Sequence, residues 1–138
     1  MSQIITYMEF QRIYALVLGF VLITLSLIGF YNNNFYGITT NTPHNIIYLI
    51  FGLLGVYSGS RGKGSGYNTF TGYIFVLFGI FGFVKGFREI LIEYLNNSFV
   101  DSYLHLAIGI ISLLVFYIAK KWNIQSSLII LISSFIVC

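Results

Sequence analysis

The chain has 138 residues, a length typical of one domain, and 57% of them are hydrophobic. Only 8% are charged, against about 25% in an ordinary soluble domain. A water-soluble fold of this size could not bury so much apolar surface, so we predict an integral membrane protein. The net charge of +3 comes from scattered basic residues without an aromatic face between them, which argues against nucleic-acid binding.

Four long apolar runs follow one another along the chain. A membrane-spanning helix needs about 20 mainly apolar residues. The runs are unbroken rather than alternating, which predicts helices and not the strands of a membrane barrel. The predicted spans are 12–30, 44–58, 70–87 and 102–119.

The connections between the spans are polar. Residues 31–43 predict a solvated, uncharged connection, and residues 58–66 predict a flexible, glycine-rich tether. Gly64 follows Lys63 where a phosphate-binding loop requires Ser or Thr, so the tether is not such a loop. We expect the third helix to run past the membrane, with Lys85 and Glu89 paired one turn apart.

The charges indicate an orientation. Basic residues flank the first span, occupy the second connection and follow the fourth span, whereas acidic residues dominate the opposite side. The positive-inside rule then places the N-terminus in the cytoplasm. We predict a multi-pass protein of the plasma membrane (the bacterial inner membrane), with the lipid bilayer as its partner and further copies of the chain in a homo-oligomer as an open alternative.

The chain also repeats itself. A pattern beginning at Tyr14 recurs 53 residues later, and a pattern beginning at Tyr48 recurs 57 residues later. Each copy reads as an apolar segment, a polar connection and another apolar segment. This predicts an all-α membrane domain over residues 1–121, a four-helix bundle of two tandem repeats (about 12–60 and 64–121) related by a pseudo-twofold axis along the membrane normal.

Small residues recur at equivalent places in both copies. In lipid, small residues allow helix backbones to approach closely, so we predict that they form helix-packing contacts. Dimerisation through the same faces is the alternative. The predicted packing residues are Gly19, Ser26, Gly29, Gly52, Gly55, Gly72, Gly79, Gly82, Gly86 and Gly109.

Residues 122–138 form a hydrophobic C-terminal appendage in this interpretation. Several serines and Gln125 weaken the case for a fifth span, and a partly inserted or surface-lying helix anchored by Trp122 is the expectation, with a fifth span as the alternative. Cys138 is the single cysteine, which excludes an intrachain disulfide.

A polar cluster is expected at the external starts of the second and fourth spans. Its members occupy matching positions in the two copies: His44, Asn45 and Tyr48 in the first, and Asp101, Ser102 and His105 in the second. Residues four apart share a helix face, which predicts that His44 stacks on Tyr48 and that Asp101 orients His105.

Two interpretations of this cluster stay open. The residues suit helix capping and hydrogen bonding between helices, since the first turn of a helix has unpaired N–H groups. The less favoured interpretation is a ligand, proton or metal site, because polar groups at membrane depth are functional candidates. Two histidines and one carboxylate are too few for a zinc site, and no metal or cofactor is predicted.

The ordered motifs carry a family resemblance. The run from Asn41 through Pro43 and His44 to Gly55, and Asp101 followed by His105 and Gly109, resemble a small bacterial membrane family known as domain of unknown function 4383. The flanking Tyr14–Gly19 and Ser26–Phe30 segments fit the same pattern. The resemblance implies a four-helix membrane protein over about residues 12–119 and supplies no reaction.

We therefore expect a non-enzymatic structural or interaction protein, because neither a nucleophile–base pair nor a cofactor fingerprint is evident. The first alternative is an oligomeric protein for permeation of small solutes or protons. The second is a haem-binding protein in which His44 and His105 hold the two faces of the ring, which their position near the headgroups disfavours.

Overall fold

The structure is a computed structural model that describes residues 2–137, without the side chains of residues 2–6, 122, 123, 126, 135 and 137. The chain is 83% helical, which confirms the predicted all-α class. In chain order the elements are α1 (Ser2–Tyr31), β1 (Asn34–Phe35), β2 (Ile38–Thr39), α2 (Thr42–Ser60), α3 (Gly64–Phe81), α4 (Phe87–Leu95) and α5 (Phe99–Val137).

The long helices form two tightly packed pairs. α1 packs along α2 and α3 packs along α5, and the pairs meet where α1 contacts α3 and α5. A cluster of buried apolar side chains lies where the four helices converge: Ala15, Leu18, Leu22, Tyr48, Tyr67, Phe75 and Ile108.

Glycines bring the paired helices into backbone contact. A Cβ atom added to Gly52 would lie 2.8 Å from the carbonyl oxygen of Gly19. On the other pair, a Cβ atom added to Gly109 would lie 2.8 Å from the carbonyl oxygen of Gly72. Contacts this short leave no room for a side chain, so the crossing distance of each pair depends on its two glycines.

The other predicted packing residues, with one exception, also face a neighbouring helix. Gly55 lies against the ring of Tyr67, and Gly79 lies against Leu106. Gly29 lies against Asn45 and Gly82 against Ser102, while the hydroxyl of Ser26 donates to the carbonyl of Asn45 at 2.8 Å.

The exception is Gly86, where the prediction is wrong. α3 ends at Phe81 instead of continuing to residue 87, and Gly86 adopts a φ of 91° immediately before α4. This positive φ at the residue that precedes α4 has a low cost only for glycine. Lys85 therefore lies in a turn and not one helical turn before Glu89, and the expected extension of the third helix is replaced by α4.

Both connections are more ordered than the sequence suggested. Residues 58–66 do not form a tether, because α2 continues to Ser60 and a three-residue turn leads directly into α3. Residues 31–43 contain a hairpin whose register pairs Asn34 with Thr39. Its two turn residues, Tyr36 and Gly37, have φ values of 51° and 84°, as a tight two-residue hairpin turn requires.

The C-terminal segment is not a separate appendage. α5 passes without a break through Lys120 and Lys121 and continues to Val137. The side chains described beyond residue 121 are exposed, including Ile124, Leu128 and Leu131. The side chain of Trp122 and the whole of Cys138 lie outside the described residues.

Polarity in this fold is reversed relative to a water-soluble bundle. Large apolar side chains cover the outside of every long helix, whereas small and polar side chains fill much of the interior. Among the described residues, two stretches are long and apolar enough to cross a membrane, Tyr7–Tyr31 and Phe99–Lys121. The buried polar residues are Gln11, Ser26, Thr40, His44, Asn45, Asn68, Thr71, Asn97, Asp101, Ser102, His105 and Ser112.

The glycine contacts generate a matched pair of substitutions. Gly52→Ala places a methyl group against the backbone of α1, and we expect overpacking to destabilise the fold by about 1–3 kcal/mol. Gly66→Ala on α3 enters open space, and we expect no loss, since alanine favours a helix over glycine by up to about 1 kcal/mol. Thermal unfolding in one detergent measures both variants, and equal midpoints would contradict the packing role.

Candidate functional site at the ends of α2 and α5

Helix caps place the two histidines. The side chain of Asn41 accepts a hydrogen bond from the backbone N–H of His44 at 3.1 Å, which caps α2. At the start of α5 the backbone N–H of Ser98 donates to Asp101 at 2.8 Å, and the N–H of Asp101 donates to the Ser98 hydroxyl at 3.1 Å. This reciprocal pair is a capping box.

Asp101 is fully buried, and its role differs from the prediction. One carboxylate oxygen accepts hydrogen bonds from the backbone N–H groups of Ser98 and Thr39 and from the Ser98 hydroxyl. The carboxylate therefore joins α5 to the hairpin and does not bond to His105. The predicted Asp101–His105 pairing is wrong, because Ser98 begins the helix and turns the carboxylate back towards the N-terminus of α5.

The orientation of His44 is set by a backbone carbonyl. Its Nδ1 donates to the carbonyl oxygen of Leu95 at 3.0 Å, so in the neutral ring Nε2 carries the lone pair. Nε2 is buried and has no hydrogen-bond partner among the described residues. The ring lies edge-on against Tyr48, with 4.6 Å between centroids, as the i,i+4 spacing predicts.

His105 meets α2 from the opposite helix pair. Its Nε2 and the hydroxyl of Tyr48 are 2.9 Å apart, and its Nδ1 is buried without a protein partner. The rings of His105 and His44 are 5.6 Å apart between centroids. The fold thus brings the two histidines together, each with one nitrogen engaged and one nitrogen free.

Asn45 and Ser102 do not bond to the histidines. The carbonyl of Asn45 accepts the Ser26 hydroxyl, which ties α2 to α1. The hydroxyl of Ser102 donates to the carbonyl of Ser98 at 3.0 Å and accepts from Asn97 at 2.9 Å. Both residues serve the helix ends.

A layer formed by the hairpin and α4 covers this end of the bundle. Thr39 donates its hydroxyl to the carbonyl of Asn96, and the Asn96 amide donates to the carbonyl of Thr40. The Asn41 side chain donates to the carbonyl of Tyr94. The next carbonyl along α4, that of Leu95, accepts the hydrogen bond from His44. The cover therefore fixes the histidine as well as the hairpin.

A second polar layer lies at the other end of the bundle, and the sequence analysis missed it. The Gln11 amide donates to the carbonyl of Val115 at 3.0 Å and its side-chain oxygen accepts from Asn68 at 2.6 Å. The hydroxyls of Tyr14 and Ser112 are 2.9 Å apart. In the sequence the only sign of this second layer is the presence of polar residues inside otherwise apolar runs. The layer becomes evident only when their hydrogen-bond partners on other helices are known.

An apolar layer separates the two polar layers. Leu18, Leu22, Phe75 and Ile108 are buried between them. A cavity of about 20 Å³ lies beside the histidines, between α2, α3 and α5, with mostly apolar walls. That volume suits one water molecule, and it is far too small for a porphyrin, so His44 and His105 do not fit a haem.

Asp101 provides a test of the cover. In Asp101→Asn the charge is lost and the neutral amide oxygen is a weaker acceptor for the N–H groups of Ser98 and Thr39, and hydrogen bonds to a charged group contribute about 1.5–3 kcal/mol. We expect a clear fall in the unfolding midpoint. Glu93→Gln on the exposed side of α4 is the matched control and should leave the midpoint unchanged. Equal effects would show that Asp101 is not an anchor.

Comparisons with known proteins give one match. No curated protein and no solved structure matches the chain. The family described as "Domain of unknown function (DUF4383)" matches residues 12–118. This region includes both histidines, all the glycine contacts described above and, except for Gln11, the residues of both polar layers. The chain belongs to the DUF4383 family.

Proposed function

We propose that the chain is an integral membrane protein whose helices α1, α2, α3 and α5 cross the bilayer, and that its role is structural or in interaction rather than enzymatic. The observation that carries the proposal is the reversed polarity of the bundle. The outward side chains are more than half exposed on each helix: Phe20 on α1, Leu53 on α2, Phe70 on α3 and Leu114 on α5. Lipid solvates such a surface, and water does not.

The interior supports the same proposal. In lipid no hydrophobic force drives helices together, and association depends on close backbone packing and hydrogen bonds between helices. The Gly19–Gly52 contact is an example of close backbone packing. The bond from the Ser26 hydroxyl to the carbonyl of Asn45 is an example of a hydrogen bond between helices. α2 and α3 begin with polar residues, of which His44 and Asn45 on α2 and Asn68 on α3 are buried in the bundle.

The distribution of charge supports an N-terminus in the cytoplasm. Arg61 and Lys63 lie in the α2–α3 turn, at the same end of the bundle as Arg12. Glu89 and Glu93 lie on α4, at the opposite end. The end with the excess of basic residues is the cytoplasmic one by the positive-inside rule.

We further propose that the two helix pairs are copies of one unit, related by an axis along the membrane normal. The Gly19–Gly52 contact corresponds to the Gly72–Gly109 contact at the offsets found in the sequence. The tyrosines agree as well. The Tyr67 hydroxyl donates to the carbonyl of Phe51. At the equivalent position Tyr14 contacts the hydroxyl of Ser112, and Ser112 donates to the carbonyl of Ile108, which corresponds to that of Phe51.

A non-enzymatic role is supported by the hydrogen bonds that three buried serine hydroxyls make. Ser26, Ser102 and Ser112 each donate to a backbone carbonyl, and none of these three bonds to a histidine. A nucleophilic serine needs such a base. The buried polar groups instead cap helices and cross-link them, as a structural interior requires.

The glycine contacts bear on self-association. Gly19, Gly52, Gly72 and Gly109 face each other inside one chain, so they are not available to a second copy. A homo-oligomer would use the exposed apolar side chains instead. The permeation alternative is disfavoured by the apolar layer around Leu22 and Phe75, which interrupts the polar path along the bundle.

Cysteine labelling tests the four-span topology. In a Cys138→Ser background, single cysteines replace Tyr36, Arg61, Lys85 or Lys121, all of which are exposed. Four spans predict that an impermeant maleimide labels positions 36 and 85 in intact cells, and positions 61 and 121 only after permeabilisation. If only α1 and α5 cross the membrane, position 61 becomes external, so its labelling in intact cells would contradict the proposal.

Complementation separates a structural role from permeation. A deletion strain with a growth defect under altered pH, metal or osmolyte supply is rescued with wild type or with His105→Ala. A structural role predicts that rescue follows the amount of folded protein in the membrane. Loss of rescue at normal abundance would contradict it and favour permeation.

A further inference from the structure

The rings of His44 and His105 lie 5.6 Å apart between centroids in the interior, and one nitrogen of each ring has no hydrogen-bond partner among the described residues. His44 is 1% exposed and His105 is 4% exposed, and both rings line the 20 Å³ cavity. A buried nitrogen without a partner costs free energy, on the order of 1–3 kcal/mol. Two such atoms on facing residues of different helices indicate a ligand that both can bind.

We propose that His44 Nε2 and His105 Nδ1 form a two-coordinate site for one soft monovalent metal cation of the copper(I) class. The proposal goes beyond the structural role argued above and does not depend on the number of membrane spans.

In each ring the nitrogen that would not bind the metal makes a hydrogen bond, as in metal-binding histidines. A ligating histidine donates its second N–H to a carbonyl or another oxygen, which orients the ring and sets the tautomer. His44 donates Nδ1–H to the carbonyl of Leu95. His105 has the Tyr48 hydroxyl at its Nε2, so with Nε2–H donating to that oxygen the lone pair is on Nδ1.

The dimensions accommodate one ion. A metal–imidazole bond is about 2.0 Å long, so two bonds in line separate their nitrogens by roughly 4 Å. The ring centroids are 5.6 Å apart, and the adjoining cavity gives the rings room to open around an ion. The rings of Phe75 and Phe78 pack against His105, so the walls of the site are mostly apolar.

The charge of the site favours a single positive ion. Asp101 is a fully buried carboxylate whose hydrogen-bond donors are neutral N–H and O–H groups, and its second oxygen has no protein partner. It lies close enough to His44 to act on it electrostatically. A buried charge is costly unless it is compensated, and one cation between the rings makes the cluster neutral.

The ligand set selects the class of metal. Zinc takes four ligands, and among the described residues no group of three or more His, Cys, Asp or Glu side chains could hold a metal ion. Imidazole suits copper, and the d¹⁰ copper(I) and silver(I) ions are stable with two ligands in line. Silver(I) is therefore a suitable probe, since it needs no reductant.

The test uses the full-length protein in detergent without a histidine tag and in the Cys138→Ser background, because a thiolate would bind silver by itself. Equilibrium dialysis with silver(I) should give one ion per chain. His44→Ala or His105→Ala should abolish that ion, and Tyr48→Phe should weaken its binding about 10- to 100-fold through loss of the outer hydrogen bond. Zinc(II) should not bind.

Tyr67→Phe is the matched control, since this tyrosine is also buried and bonds to a carbonyl on the other side of the core. Its silver affinity should equal that of the wild type. If the histidine variants do not fold, Tyr48→Phe still decides, and X-ray absorption of the wild-type complex should show two nitrogen neighbours at about 2 Å. No binding, binding unchanged in His105→Ala or Tyr48→Phe, or sulfur neighbours in the spectrum would overturn the proposal.

Discussion

The rest of the structure depends on the close approach of helix backbones at glycine. Gly52 contacts the backbone of α1 at Gly19, and Gly109 contacts the backbone of α3 at Gly72. These contacts hold the members of each helix pair at a distance that larger residues would not allow. The pairs can then meet along α1, and only in that arrangement do the ends of α2 and α5 come together.

The polar interior is a consequence of this packing. Side chains such as Asn68 and Ser112 find partners across the bundle at one end, and Asp101 finds them at the other. Hydrogen bonds of this kind add specificity, because an unpaired polar group in an apolar interior is costly. Some buried side-chain atoms stay without a hydrogen-bond partner among the described residues, including one nitrogen of His44 and one of His105. These two nitrogens belong to neighbouring rings and form the proposed ligand site.

The cover at this end has a function of its own in the fold. The hairpin and α4 lie in corresponding places between paired helices, and they are hydrogen-bonded to each other through Thr39 and Asn96. α4 also supplies the carbonyl of Leu95 that orients His44. A short amphipathic helix and four strand residues therefore cover this end of the bundle, and the helix orients a buried histidine of α2.

The sequence by itself determined the helical class, the helices at the apolar runs, the contacts of most small residues and the family, because apolar run length and glycine spacing depend on residues near one another in the chain. It predicted the polar cluster but paired Asp101 with His105, since spacing along one helix cannot show that Ser98 starts it. Only the tertiary structure decided that Tyr48 meets His105, that Gln11 meets Asn68, and that α3 ends at Phe81. The first two contacts join residues far apart in sequence, and the turn between Phe81 and α4, which passes through the positive φ of Gly86, lies within an apolar run that by itself reads as one continuous helix.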